Sequence, residues 1–144
     1  MLNGVIITPL KIINTPGGNV MHAMKNSSLG FSSFGEAYFS KIDGGAIKGW
    51  KRHKEMTLNI IVPIGEVRFI LCDDQNTVNN FQEVILSDLS NYFRLTVPPM
   101  MWFAFQGLDQ KGSVVLNIAN IEPVSYTHLR AHETPEHLVC RLLL

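Results

Sequence analysis

Apolar residues in this chain recur at a spacing of two, in short runs broken by turn residues. That is the pattern of strands buried on one face. The clearest run covers residues 66–72, where Val67, Phe69 and Leu71 alternate with Arg68, Ile70 and Cys72. Residues 57–62 form a second β-rich run, and Pro63-Ile64-Gly65 between the two predicts a hairpin. Further strands are expected over 5–7, 20–24, 35–42, 81–86, 93–97, 101–105 and 114–118. The segments between them are rich in turn formers, among them Thr15-Pro16-Gly17-Gly18-Asn19, Asp43-Gly44-Gly45 and Pro98-Pro99. Residues 73–80 are polar and read as a loop, and 87–91 as a turn. About nine short strands with few helix candidates predict an all-β sandwich or barrel, and a two-sheet jelly roll fits that count.

The last segment stands apart. Residues 123–144, PVSYTHLRAHETPEHLVCRLLL, resemble translated sequencing-adapter read-through: a transposon-library end, then a primer site. Segments of foreign origin are set aside before reasoning about a fold. The expectation is therefore a domain over 1–122, truncated at its C-terminus, followed by a non-native tail over 123–144. The tail holds His128, His132, His137 and Cys140, and the i, i+4 spacing of the first two suits a zinc-binding helix. The glutamate that a zinc-protease helix carries directly after its first histidine is missing, and the adapter reading is preferred. No metal is expected.

Composition narrows the class. The 144 residues carry 12 basic and 12 acidic side chains. The tail contributes Arg130, Arg141, Glu133 and Glu136, so the rest is balanced too. A neutral chain has no overall field to draw in nucleic acid or an anionic membrane. No run reaches the roughly 18 apolar residues that span a bilayer. Cys72 is the one cysteine before the tail, which fits a reducing compartment. A cytoplasmic domain with no nucleic-acid or membrane partner is expected.

Against that neutral background, Lys48-Gly49-Trp50-Lys51-Arg52-His53-Lys54 is a dense basic cluster. In an extended segment Lys51 and His53 share one face, and Arg52 and Lys54 the other. If the first face lines a barrel interior, a lysine and a histidine point into a cavity suited to a phosphorylated or carboxylated ligand. His53 is then a candidate general base, because imidazole is the side chain whose unperturbed pKa lies near neutrality. Composition by itself favours a solvated basic loop. Tyr38 and Trp102 are candidates for ligand contact, with a core or sheet role as the alternative. His22 and Cys72 read as structural.

A series of segments in order carries a family resemblance: Phe34-Gly35-Glu36-Ala37-Tyr38-Phe39-Ser40, Ile47-Lys48-Gly49-Trp50-Lys51-Arg52-His53, Gly65-Glu66-Val67-Arg68-Phe69, Leu95-Thr96-Val97-Pro98-Pro99 and Phe103-Ala104-Phe105-Gln106-Gly107. Over residues 17–122 the chain resembles a divergent branch of the dTDP-4-dehydrorhamnose 3,5-epimerase family. The resemblance implies a cupin-type double-stranded β-helix, no metal or cofactor, and a homodimer. It implies action on a dTDP-4-keto-6-deoxy sugar by proton abstraction next to the ketone, in surface-polysaccharide synthesis. His53 and Lys51 become the catalytic candidates, and Lys48, Arg52, Tyr38 and Trp102 the substrate-binding ones. Lys48 takes the place of the family's arginine and Lys51 that of its histidine, with His53 two residues later. Phe103 falls where a second histidine is usual. The acid tyrosine of the family would lie at or beyond Glu122. Two other functions stay open: a non-catalytic sugar-nucleotide or carbohydrate-binding cupin, and a related sugar ketoisomerase.

Overall fold

The computed structural model describes residues 1–75 and 80–122, together with the backbone of His128–Leu129. The strands in chain order are β1 (Ile6–Pro9), β2 (Ile12–Ile13), β3 (Val20–Met21), β4 (Glu36–Ile42), β5 (Ile47–His53), β6 (Leu58–Ile64), β7 (Glu66–Asp73), β8 (Asn80–Ser87), β9 (Phe93–Val97), β10 (Trp102–Gly107), β11 (Ser113–Ala119) and β12 (His128–Leu129). There is no helix among the described residues. One five-stranded antiparallel sheet runs β1-β9-β6-β11-β4, and a second runs β12-β5-β10-β7-β8. The alternation of strands between two facing sheets is the jelly roll that the strand count predicts. Strands β2 and β3 form a separate ribbon. The tail residues His132, His137 and Cys140 lie outside the described residues, as do the rest of 130–144 and 123–127.

The core is the space between the sheets. Leu58, Ile60 and Val62 of β6, Leu95 and Val97 of β9, and Val115 and Ala119 of β11 meet Val67, Phe69 and Leu71 of β7, and Phe103 and Phe105 of β10. Burying each large apolar side chain contributes roughly 1.5–3 kcal/mol. This requirement also corrects the hairpin expected around Pro63-Gly65. Strands β6 and β7 do not pair; they lie in opposite sheets. Both carry an apolar face, and the turn between them brings those faces together across the core rather than side by side. Gly65 makes the corner at φ 93°, and the Ser113 hydroxyl accepts the Glu66 N–H at 3.0 Å. The local hairpin is the next one along, β7 to β8, in register from Glu66↔Ser87 to Asp73↔Asn80.

The second sheet buries its outer face as well. Trp50, Ile70, Cys72, Trp102 and Ala104 form a second apolar cluster there, with Phe81 against it. On the outer face of the first sheet, the chain between β3 and β4 is strapped down by side chains of β6 and β9. Asn59 Nδ2 donates to the Gly30 carbonyl at 3.1 Å. Arg94 donates from Nη1 to the Ala23 carbonyl at 2.9 Å and from Nη2 to the Leu29 carbonyl at 3.0 Å.

A bulge in β5 sets which of its side chains face inward. Lys51 lies opposite Phe103 and Lys48 opposite Phe105, so two residues of β5, Gly49 and Trp50, face Ala104 alone. Phe103 and Phe105 point into the core, and Lys48 and Lys51 share their side of the sheet. Gly49 permits this. Its φ is 133°, and a Cβ there would stand 2.5 Å from the Ala104 Cβ. Gly49→Ala is expected to cost about 2 kcal/mol or more, from backbone strain and the clash together. Urea denaturation checks it: the midpoint should fall with the slope unchanged.

Candidate functional site

Strand β5 carries the site. Alternation past the bulge sends Trp50 and Arg52 to the outer face and Lys51 and His53 inward. His53 is almost fully buried, its ring 6.1 Å from that of Phe103. Its backbone is fixed too, because the Met100 N–H donates to the His53 carbonyl at 2.7 Å. That bond ties the site to the turn after Pro98-Pro99, where Met100 adopts φ 67°.

Strand β4 supplies the facing wall. Ile42 at its end belongs to the core, so alternation places Ser40, Tyr38 and Glu36 on the same inward side. The strands are joined across the sandwich by residues 43–46, and Lys48 Nζ donates to the Lys41 carbonyl at 2.8 Å. Asn117 of β11, also buried, donates to Ser40 Oγ at 3.2 Å. The described wall thus holds an imidazole, two ammonium groups, a phenol, a carboxylate and an amide above an aromatic floor.

Two of these groups have shifted titrations. The Lys51 ammonium loses its proton more readily than an ordinary lysine, first because it is buried and second because Lys48 is close by. The Tyr38 phenol holds its proton more tightly than usual, first through burial and then through the nearby Glu36 carboxylate. At neutral pH Tyr38 is therefore a hydrogen-bond donor.

Arg52 and Trp102, expected from the sequence to contact substrate, lie on the other face of the sheet. The Arg52 guanidinium stacks over the Trp102 ring at 4.6 Å and pairs with Asp74 at 3.3 Å. Trp102 Nε1 donates to the other Asp74 oxygen at 2.8 Å. The three form one closed unit away from Lys51 and His53. Their signal in the sequence, a cation and a tryptophan near a basic cluster, does not encode the face. Cys72, beside them, has its thiol pushed up to about 11 by burial first and then by Asp74 and Asp73, in keeping with an unreactive thiol. Glu36, Ser40 and Asn117 are the site residues that sequence reasoning left out or set aside. The period-two pattern of β4 that places Tyr38 also places Glu36 and Ser40.

The family model described as FdtA, WxcM-like, C-terminal, matches residues 3–130, eight residues into the segment set apart as a tail. Among solved structures, a dTDP sugar isomerase from Desulfovibrio desulfuricans G20 is similar at 31% identity, with a TM-score of 0.88 over 93% of this chain and 87% of that one. A histidine-to-asparagine variant of the 3,4-ketoisomerase QdtA from Thermoanaerobacterium thermosaccharolyticum, in complex with TDP-4-keto-6-deoxyglucose, is 19% identical, with a TM-score of 0.76 over 92% of this chain and 91% of that one. The epimerase RmlC from Legionella pneumophila Philadelphia 1, in complex with dTDP-4-keto-L-rhamnose, is 17% identical, with a TM-score of 0.78 over 90% and 73%. The last two share the fold. Among curated proteins none matches this chain in sequence.

The shift at Lys51 has a consequence for stability. A lysine with a depressed pKa in the folded state binds fewer protons there than in the unfolded chain, so its cost to folding is greatest when it is charged and fades as pH rises. Lys51→Met is expected to be more stable than the parent at neutral pH. Its advantage should shrink as the pH climbs toward the ordinary lysine range. Urea unfolding of both proteins at several pH values measures the difference.

Proposed function

The chain belongs to the FdtA, WxcM-like C-terminal family, and on that premise we propose that it isomerises or epimerises a dTDP-linked 4-keto-6-deoxy sugar through an enolate. The observation that carries this is the pairing of His53 and Lys51 on the inward face of β5 above Phe103. A binding module needs only charge and stacking. A base set beside a buried cation suits removal of a proton next to a ketone.

His53 takes the proton from the carbon adjacent to the 4-keto group. The C–H pair becomes the double bond of the enolate, and the negative charge passes to the ketone oxygen. The Lys51 ammonium and the Tyr38 hydroxyl oppose that charge from the wall, where fixed dipoles and low dielectric make each worth more than in water. The proton then returns to carbon. Return to the same carbon from the other face gives an epimer. Return to the neighbouring carbon, with the hydroxyl proton moving across, gives the isomeric ketone. The 31% identity to a dTDP sugar isomerase supports isomerisation of this kind, of which both outcomes are forms. Lys48 suits the diphosphate as a point charge in place of a bidentate guanidinium. Arg52 and Trp102 on the outer face are left a structural role.

The reading extends to assembly and place. A homodimer is supported by the exposed apolar residues Ile12, Ile13 and Val20 of the β2–β3 ribbon, which a second copy would cover. No helix of the described residues is long and apolar enough to cross a membrane. A cytoplasmic site of action follows from where sugar nucleotides are made.

Two measurements test this. Incubation with dTDP-4-keto-6-deoxyglucose in D2O should introduce deuterium next to the ketone, and His53→Ala should lower that exchange by about 100-fold or more, the usual contribution of a general base. Parent-level exchange in His53→Ala removes His53 from the role. Sedimentation equilibrium is expected to return twice the chain mass, and substitution of both Ile12 and Ile13 by serine should shift it to a single chain mass.

A further inference from the structure

A second polar site lies on the opposite side of the first sheet, outside the barrel interior. Thr8 of β1 and Arg94 of β9 stand directly opposite one another in the ladder. Arg94 is only 2% exposed. Its two terminal nitrogens hold the Ala23 and Leu29 carbonyls, and both acceptors are neutral. Neither ion pair among the described residues involves it. Arg94 Nε and Thr8 Oγ1 are both buried without a hydrogen-bond partner. Leaving a buried donor unmet is costly, and more so when it is charged. Two such donors on neighbouring positions of one ladder are therefore out of the ordinary.

Both line a cavity of about 230 Å³ between β1, β9 and the strap. Lys11, His22, Lys25 and Ser28 line it as well, and no aspartate or glutamate among the described residues does. Lys11 and Lys25 are exposed at its mouth, while Arg94 forms its base. Burial also draws the guanidinium's titration downward, as it would for a cation lacking a counter-charge.

We propose that this cavity is a binding site for a small phosphate or phosphate monoester, held by Arg94 Nε and Thr8 Oγ1 at its base and by Lys11 and Lys25 at its rim. A tetrahedral dianion offers several acceptor oxygens in different directions, which suits donors arriving from two strands and a strap. The cavity exceeds the size of one phosphate and leaves room for a small ester. Occupation would tie β1 and β9 more firmly to the strap, and through it to the β2–β3 ribbon. The site is independent of the chemistry proposed for His53.

Thermal unfolding of the full chain, titrated with inorganic phosphate at constant ionic strength, tests this. A ligand that binds the folded state raises Tm in a saturable way. The titration is run on the parent and in a Lys48→Met, Lys51→Met background, which removes both ammonium groups of the barrel wall, and the saturable rise is expected in both. Thr8→Val, which keeps the side-chain shape, should weaken phosphate affinity roughly fivefold, the contribution of one hydrogen bond. Lys11→Ala with Lys25→Ala should weaken it about tenfold or more while the unliganded Tm stays put. A rise that never saturates, or one with the same midpoint in both sets of variants, overturns the proposal. So does a rise that the double substitution of Lys48 and Lys51 abolishes.

Discussion

The candidate site depends on the lack of a side chain at Gly49. A strand with simple alternation would turn Lys48 away from Lys51 and His53. The bulge inserts one residue, so Lys48 and Lys51 both fall on the inward side, opposite Phe105 and Phe103. The space for it is the 2.5 Å that a Cβ at Gly49 would have to share with Ala104. Two further features follow from the same geometry. Trp50 goes outward and is almost completely buried in the second apolar cluster, which anchors the strand from behind. Lys51 is pressed against the core beside a second lysine, and its proton is loosened as a result.

The back of the strand is arranged with equal care for charge. Arg52 would be a second loose cation if it stood alone. Asp74 accepts from both Arg52 and Trp102, and the guanidinium lies over the indole. A planar cation suits this double duty of stacking and pairing better than an ammonium would. Adjacent basic residues of one cluster thus have separate fates. Arg52 is neutralised and becomes structure, while Lys51 is left charged and inward.

Much of the fold is legible in the sequence because burial of one face forces a period of two. The runs at 35–42, 66–72 and 114–118 become β4, β7 and β11 for that reason. The pairing of Lys51 with His53 on one face is legible for the same reason. What the pattern lacks is the partner. The run read over 57–62 becomes β6, which pairs with β9 and β11, both distant in sequence, and the glycine turn that reads as a hairpin is a crossing between sheets. The two-residue strand β2 is too short to leave any periodicity. Composition puts Trp102 and Arg52 with the ligand because it marks a neighbourhood and says nothing of its sides. Arg94 does leave a trace, as a charge within the apolar run Phe93 to Val97. Its meaning emerges only when the strap over β9 is in place.

A net charge of zero argues against a broad field around the molecule, yet it places no limit on local ones. In this chain the acids and bases are unevenly distributed. Asp74 and Glu83 sit on outer faces and hold arginines. The ammonium groups of Lys48 and Lys51 collect on the inner wall of β5, and Arg94 with Lys11 and Lys25 collects over β1 and β9. Folding gathers cations of a balanced sequence around two recesses, the inner one shared with the Glu36 carboxylate beside Tyr38. A phosphorylated ligand gains in such recesses from cations held in place beforehand, with Lys51 and Arg94 set inward and Lys11, Lys25 and Lys48 at exposed rims. Whole-chain neutrality is therefore compatible with strong anion recognition, and the reading of composition holds only for partners as large as nucleic acid or a membrane surface.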